Sequence, residues 1–363
     1  MLRLNPNLEN LPVYQPGRPI EEVAREIGMD YSKIAKLASN ENPLGPSPEA
    51  MAQMAEVIKS VNLYPDGNAF YLKQALSRKL NLPGSQIILG NGSNEIIEFV
   101  GHALLGPNTN IVVSEYCFAI YPIVAKLFGA DVITVPAIRY GSDLSGMVDA
   151  VNSETRVLFL ANPNNPTGTL ADSKSVQDLI ASVPPDVLLV IDEAYVEYLD
   201  DALDLLPYLR SGEQPNLLLM RTFSKIYGLA GLRLGYGLGS EEVVTGLEKI
   251  RQPFNCSVLS QVAALAALND GDHLERSKML NRTELRRYEA RCKKQGWEFV
   301  PSYANFILIR VGDGAGVYQA LLERGIITRQ MGAYQLPEWI RISVGTEAEN
   351  ERCLSALEEI LNP

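Results

Sequence analysis

VLLVIDEAY, residues 187–195, decides how this chain must fold. Five apolar residues in a row leave no polar face, which is the pattern of a strand covered on both sides. Asp192 closes the run, so its carboxylate stands at the edge of a sheet yet inside the molecule, where an ionised group needs a cationic partner. Working outward, further apolar runs occur at 87–89, 111–113, 132–135, 157–160, 217–220 and 234–238. Helix-length amphipathic segments separate them. That alternation predicts an α/β fold: a large domain with a mostly parallel seven-stranded sheet between helices, plus a smaller α+β domain.

After Arg251 the pattern changes. A long helical region runs through Gln295, and its stretch RTELRRYEARCKKQG reads as a solvated helix face. Shorter strands are expected at 306–309, 326–328 and 339–343. The division that follows is an N-terminal arm and part of the small domain over 1–45, a large domain over 46–251, and a small C-terminal domain over 252–363.

The composition narrows the function. A formal charge of −11 argues against nonspecific binding to nucleic acid or to an anionic membrane, both of which need basic surface. No apolar stretch is long enough to span a bilayer, and the first residues lack the apolar run of a signal peptide, so a cytoplasmic protein is expected. Four scattered cysteines form no CxxC pair, and two histidines give a metal site or a Ser-His-Asp triad little to build on.

The polar motifs follow the apolar runs, and in a parallel sheet ligands bind outside the carboxyl ends of the strands. RTFSKIYGLAGLRLGYG, residues 221–237, places Lys225 between hydroxyl residues and Arg233. Alone, such a lysine is usually a solvated cation; beside other cations its amine is partly neutral and forms Schiff bases with carbonyls. Asp192 reads either as a helix cap or surface ion-pair member, or as the partner of a protonated ring nitrogen. Tyr195 and Asn165, the latter from NPNNPTG (162–168), could reach a phenolic oxygen on that ring. GNGSNE (90–95) opens a helix at Ser93 and Asn94, a weak anion-site signal by itself, which Thr222, Ser224 and Arg233 would complete. Phe118 is either a core aromatic or a stacking partner for the ring. GYGLG (235–239) lacks the spacing of a dinucleotide fingerprint. An amine, a ring-nitrogen carboxylate and phosphate donors together are what pyridoxal 5'-phosphate requires.

On YQPGRPIEEVAREIG, LASNENPLGPSP, LYPDG, GNGSNE, NPNNPTG, DEAY, RTFSKIYGLAGLRLGYG, ITRQM and WIRISVGT, the chain resembles histidinol-phosphate aminotransferases over essentially its whole length. The resemblance implies the fold of type I pyridoxal-phosphate transferases, with Lys225, Asp192 and Tyr195 catalytic. It implies a cofactor held by those three with Asn165, Ser93, Asn94, Phe118, Thr222, Ser224 and Arg233, and by Tyr64 donated from the second subunit of a homodimer. Arg341, Arg329 and Tyr14 would bind substrate, Arg341 taking a carboxylate or the phosphate of histidinol phosphate and Arg329 assisting with that phosphate; as bare residues, both arginines also read as ion-pair members. The implied reaction converts L-histidinol phosphate and 2-oxoglutarate into imidazole acetol phosphate and L-glutamate, a step of histidine biosynthesis. Ser114–Phe118 departs from a proline-rich approach common in that family. An aromatic-amino-acid aminotransferase, a threonine-phosphate decarboxylase and a non-catalytic cofactor-binding regulator are the competing readings.

Overall fold

In the computed structural model, which describes residues 2–9, 11, 13 and 16–362, all seven apolar runs are strands of one sheet. Numbered in chain order after a short β1 (Ala35–Lys36), they are β2 (Ile87–Gly90), β3 (Asn110–Ser114), β4 (Asp131–Val135), β5 (Thr155–Ala161), β6 (Leu188–Asp192), β7 (Leu217–Thr222) and β8 (Gly235–Gly239). Their spatial order is β2-β8-β7-β6-β5-β3-β4. Neighbours are parallel except where β8 runs against β7 and β2, so the sheet is mostly parallel.

The period-2 geometry of a strand sorts each run onto two faces. Leu189 and Ile191 of β6, with Leu217 and Leu219 of β7, enter one core, together with Leu72, Leu76 and Leu179 from covering helices. Leu188, Val190, Leu218 and Met220 enter the other, against Ile96, Val100 and Val124. Burying each such side chain contributes about 1.5–3 kcal/mol, which is why both faces stay covered.

The helical region after Arg251 is two helices, Val258–Asn269 and Gly271–Gln295. The break falls at Asp270, whose carboxylate accepts from the His273 N–H at 3.0 Å and so caps the second helix. Ala263 and Ala264 pack into the large-sheet core, while Leu285, Tyr288 and Cys292 pack into a separate one. The chain thus crosses between cores at Asp270.

That second core lies under an antiparallel sheet of β9 (Phe299–Val300), β10 (Phe306–Arg310), β12 (Arg329–Gln330) and β13 (Trp339–Ser343), in the order β12-β13-β10-β9. The strand expected over 326–328 stops at Ile327, as β11 (Ile326–Ile327), which pairs in parallel with β1. From Arg329 the chain pairs with β13 instead, and the change of partner interrupts the strand at Thr328. Through β1, the N-terminal segment joins the small core, where Ala35 and Leu37 are buried. No helix among the described residues is long and apolar enough to cross a membrane.

Candidate active site

Parallel strands gather their carboxyl ends along one edge, and there a cavity of about 270 Å³ opens between the two cores. Asp192 is the last residue of β6 and Thr222 the last of β7. Ser224, Lys225 and Arg233 line the same cavity from the loop after β7, and Asn165 lines it from the loop after β5. A groove of about 720 Å³ between the helices Leu144–Asp149 and Ser173–Ser182 is larger, but two of its carboxylates serve as helix caps. Asp143 caps one helix through the Gly146 N–H, and Asp172 caps the other through the Ser175 N–H.

One end of the cavity is an anion cradle. The helix Ser93–Leu104 begins after Gly92, which has no side chain to cap it, and its first residues, Ser93 and Asn94, line the cavity with the positive end of the helix dipole. Gly92 sits at φ 78°, and a Cβ there would lie 2.4 Å from Arg233 Nη2. Its bare backbone is what lets the guanidinium reach the helix start. Arg233 itself adopts φ 54° and donates from Nη1 to Ser224 Oγ at 3.3 Å. On β8, a Cβ at Gly235 would meet the Ser93 nitrogen at 2.4 Å. The GYGLG glycines thus allow this loop to lie against the sheet, a role their spacing did not announce. Backbone N–H donors, two hydroxyls and a forked cation suit the phosphate of pyridoxal phosphate.

Asp192 is buried; its Oδ2 accepts from the Tyr121 hydroxyl at 2.8 Å and its Oδ1 from the Ala194 N–H at 3.1 Å. Burial pushes its pKa up to about 6, against the two hydrogen bonds, which favour the carboxylate. Sequence reading missed Tyr121; its signal was the i, i+3 spacing from Phe118, which brings both rings to one side of a helical turn. The two rings meet edge-on at 5.6 Å, and Tyr121 stacks on Phe159 at 4.6 Å. Phe118, whose ring is not spent on Phe159, lines the cavity.

Lys225 Nζ donates to the Ser39 carbonyl at 3.2 Å, and its ammonium lies 5.9 Å from the centre of the Tyr195 ring. Burial, then the charges of Arg341 and Arg233, lower its pKa to about 8, opposed by Glu41 and Asp192. That leaves about a tenth of the amine neutral at pH 7, far more than an ordinary lysine, and available as a nucleophile and a base. The Tyr195 hydroxyl accepts from Asn40 Nδ2 at 2.9 Å, and burial holds its pKa at about 12, so it keeps its proton.

The small sheet also lines the cavity. Arg329 of β12 and Arg341 of β13 are direct cross-strand partners, and both line the cavity. Arg341 is buried over the Phe306 ring at 5.0 Å. It donates from Nη2 to the Ala38 carbonyl at 2.9 Å and from Nη1 to Asn165 Oδ1 at 2.5 Å. Tyr64 does not line the cavity of this chain: it is 82 % exposed and stacks on Phe254 at 4.6 Å. Tyr14 lies outside the described residues. Segment 38–41 contributes Ala38, Ser39, Asn40 and Glu41 to the lining, although reading the sequence attached no role to them.

This chain belongs to the class I and II aminotransferases, whose family model matches residues 32–357. It is 48% identical to the histidinol-phosphate aminotransferase of Akkermansia muciniphila over 98% of each chain. It also superposes on the crystal structure of histidinol-phosphate aminotransferase from Sinorhizobium meliloti in complex with pyridoxal-5'-phosphate, with TM-score 0.91 and 30% identity, covering 99% of this chain and 98% of that one. Within the class, the chain is therefore a member of the histidinol-phosphate aminotransferase family, and it is a pyridoxal-phosphate-dependent enzyme. The L-threonine-O-3-phosphate decarboxylase of Porphyromonas gingivalis shares the fold alone, at 22% identity and TM-score 0.79 over 91% of this chain and all of that one.

Proposed function

We propose that this aminotransferase moves the amino group of L-histidinol phosphate to 2-oxoglutarate, releasing imidazole acetol phosphate and L-glutamate. The observation that carries the reading is a cavity lined both by Arg233 with its anion cradle and by the cross-strand arginine pair Arg329 and Arg341, with Lys225 lining it as well. One anion site suits the cofactor's phosphate. The other suits a substrate carboxylate or, with two guanidinium groups, a dianionic phosphate.

Bound pyridoxal phosphate supplies a carbonyl for the amino nitrogen and a ring that withdraws electrons. The chain's own groups do the rest. Ser93 and Asn94 N–H groups, Thr222, Ser224 and Arg233 hold the phosphate, and Phe118 covers a ring face. Asp192 Oδ holds the proton on the ring nitrogen. Because Arg341 occupies Asn165 Oδ1, the Asn165 amide retains its Nδ2 protons for the phenolic oxygen, alongside the Tyr195 hydroxyl. Lys225 Nζ would take the proton from the substrate Cα and return it, across the intervening nitrogen, to the cofactor carbon. Arg341 anchors the substrate anion, and Arg329 adds the second fork for phosphate.

We further infer a homodimer. Leu63, Tyr64, Phe70 and Tyr71 of the large domain, with Phe254 stacked on Tyr64, are large apolar or aromatic side chains left exposed, and a second copy would cover them while bringing Tyr64 to its partner's site. We propose two domains at 46–251 and 252–363, with residues 1–45 as the arm, the helix Val258–Asn269 at the start of the second packing on the large-sheet core. The four cysteines are free thiols, in keeping with work in the cytoplasm.

The test is a single-turnover measurement of the holoenzyme's visible absorbance with histidinol phosphate, then with phenylalanine. Rapid loss of the band with histidinol phosphate alone is expected. Preference for phenylalanine would move the enzyme to the aromatic aminotransferases.

A further inference from the structure

Asn40 uses every hydrogen-bonding group it has in linking the two sides of the cavity. It is buried in the left-handed region at φ 56°, a conformation that asparagine tolerates better than most residues. Its backbone N–H donates to Ser343 Oγ at 2.8 Å, and its carbonyl accepts from Asn305 Nδ2 at 2.9 Å. Its Oδ1 accepts from the Ser343 hydroxyl at 2.9 Å, and its Nδ2 donates to the Tyr195 oxygen at 2.9 Å.

The directions of these bonds are set in sequence. A backbone N–H can only donate, so Ser343 Oγ accepts from it and has its own proton left to give. Ser343 gives that proton to Asn40 Oδ1, and the amide presents its NH₂ to Tyr195. The Tyr195 oxygen then accepts from Asn40, and its single proton points elsewhere. Tyr195 lines the cavity, and its phenol stays protonated through the neutral range.

We propose that Asn40 is a positioning residue that turns the Tyr195 hydroxyl into an obligate donor toward the cavity, where the cofactor's phenolic oxygen is held. Small-sheet Ser343 thereby sets the direction of a proton on the large-sheet side. A phenol free to rotate would divide its donation between the cavity and other acceptors. A directed one stabilises negative charge on the phenolic oxygen and so lowers the proton affinity of the cofactor–lysine linkage next to it. The proposal rests on the placement of the cofactor beside Tyr195.

The experiment is a pH titration of the visible band of the holoenzyme without substrate, for wild type, Asn40→Gly, Tyr195→Phe and the double variant. Glycine keeps the left-handed backbone open while removing the amide. The band's midpoint is expected to rise by about one pH unit in Tyr195→Phe and by a large part of that in Asn40→Gly, with no further rise in the double variant. Asn40→Asp, nearly isosteric, places an acceptor where the donor was and captures the Tyr195 proton, so its midpoint also rises. It serves as the second probe should the glycine variant unfold. A shift in Tyr195→Phe with none in Asn40→Gly and Asn40→Asp would overturn the role of Asn40 while leaving the site reading standing. No shift in Tyr195→Phe would overturn the site reading and this proposal together. Fully additive shifts in the double variant would show that Asn40 does not act through Tyr195. A purely structural role would lower the melting temperature of Asn40→Gly and leave its midpoint at the wild-type value.

Discussion

On the large-sheet side of the cavity, Asp192 and Thr222 end adjacent parallel strands, and Lys225 follows three residues after Thr222. On the small-sheet side, Arg329 and Arg341 sit on an antiparallel pair, and Arg341 is oriented by Ala38 and Asn165, both far away in sequence. The first wall is set by strand ends that any chain with these apolar runs would bring together. The second exists only when the N-terminal segment, the loop after β5 and the C-terminal sheet meet. On the proposed function, the chemistry common to all substrates would reside in the first wall, and discrimination between substrates in the second.

Replacing Lys225 by alanine should strike the first wall hardest. Turnover of every amino donor should fall by about 10⁴-fold, the upper range for loss of a proton-transfer group, with the circular dichroism spectrum unchanged. Residual turnover close to wild type would erase the division between the walls. Arg329→Ala should sharpen it from the other side. Its kcat/KM for histidinol phosphate should fall about 10- to 100-fold, the worth of a charged hydrogen-bond pair, with little change for phenylalanine or tyrosine. Equal losses on both substrates would place Arg329 outside phosphate recognition.

The remaining predictions concern pH. Asp192, with its pKa raised to about 6, must be ionised to hold a ring-nitrogen proton. Cofactor affinity of the apoprotein should weaken as pH falls through that value, followed by fluorescence titration with pyridoxal phosphate. Tyr121→Phe removes a bond that favours the carboxylate, so the midpoint of that loss should move upward; a downward move would refute the role given to Tyr121. The smallest effect concerns stability. Lys225 has a folded pKa near 8, below its ordinary 10.5, so stability present above 10.5 is lost as pH falls through 8. In urea melts of the apoprotein, Lys225→Met should flatten that slope and gain ~1–2 kcal/mol at pH 7.5.

What could be read from the residues follows the same division. The seven strands were visible because each is a short apolar run, and the reversal of β8 was not, because strand direction leaves no trace in a run's composition. Phe118 was visible as an aromatic near a strand end, whereas Tyr121 looked like ordinary helix core until its hydroxyl met Asp192. The roles of Ser39 and Asn40 stayed hidden in LASNENPLGPSP, a motif that marks kinship without indicating contacts.

By itself the sequence determined the α/β class, the strand ends that carry Asp192 and Thr222, and the set of groups able to hold pyridoxal phosphate. These depend on hydrophobic periodicity and on residue chemistry a few positions away, which are local properties. Only the tertiary structure decided that Arg341 is aimed by Ala38 and Asn165, that Gly92 and Gly235 clear space for the anion cradle, and that Asn40 joins Ser343 to Tyr195. Those are distances and hydrogen-bond directions between segments far apart in the chain, and they exist only once two separate cores have packed around one cavity.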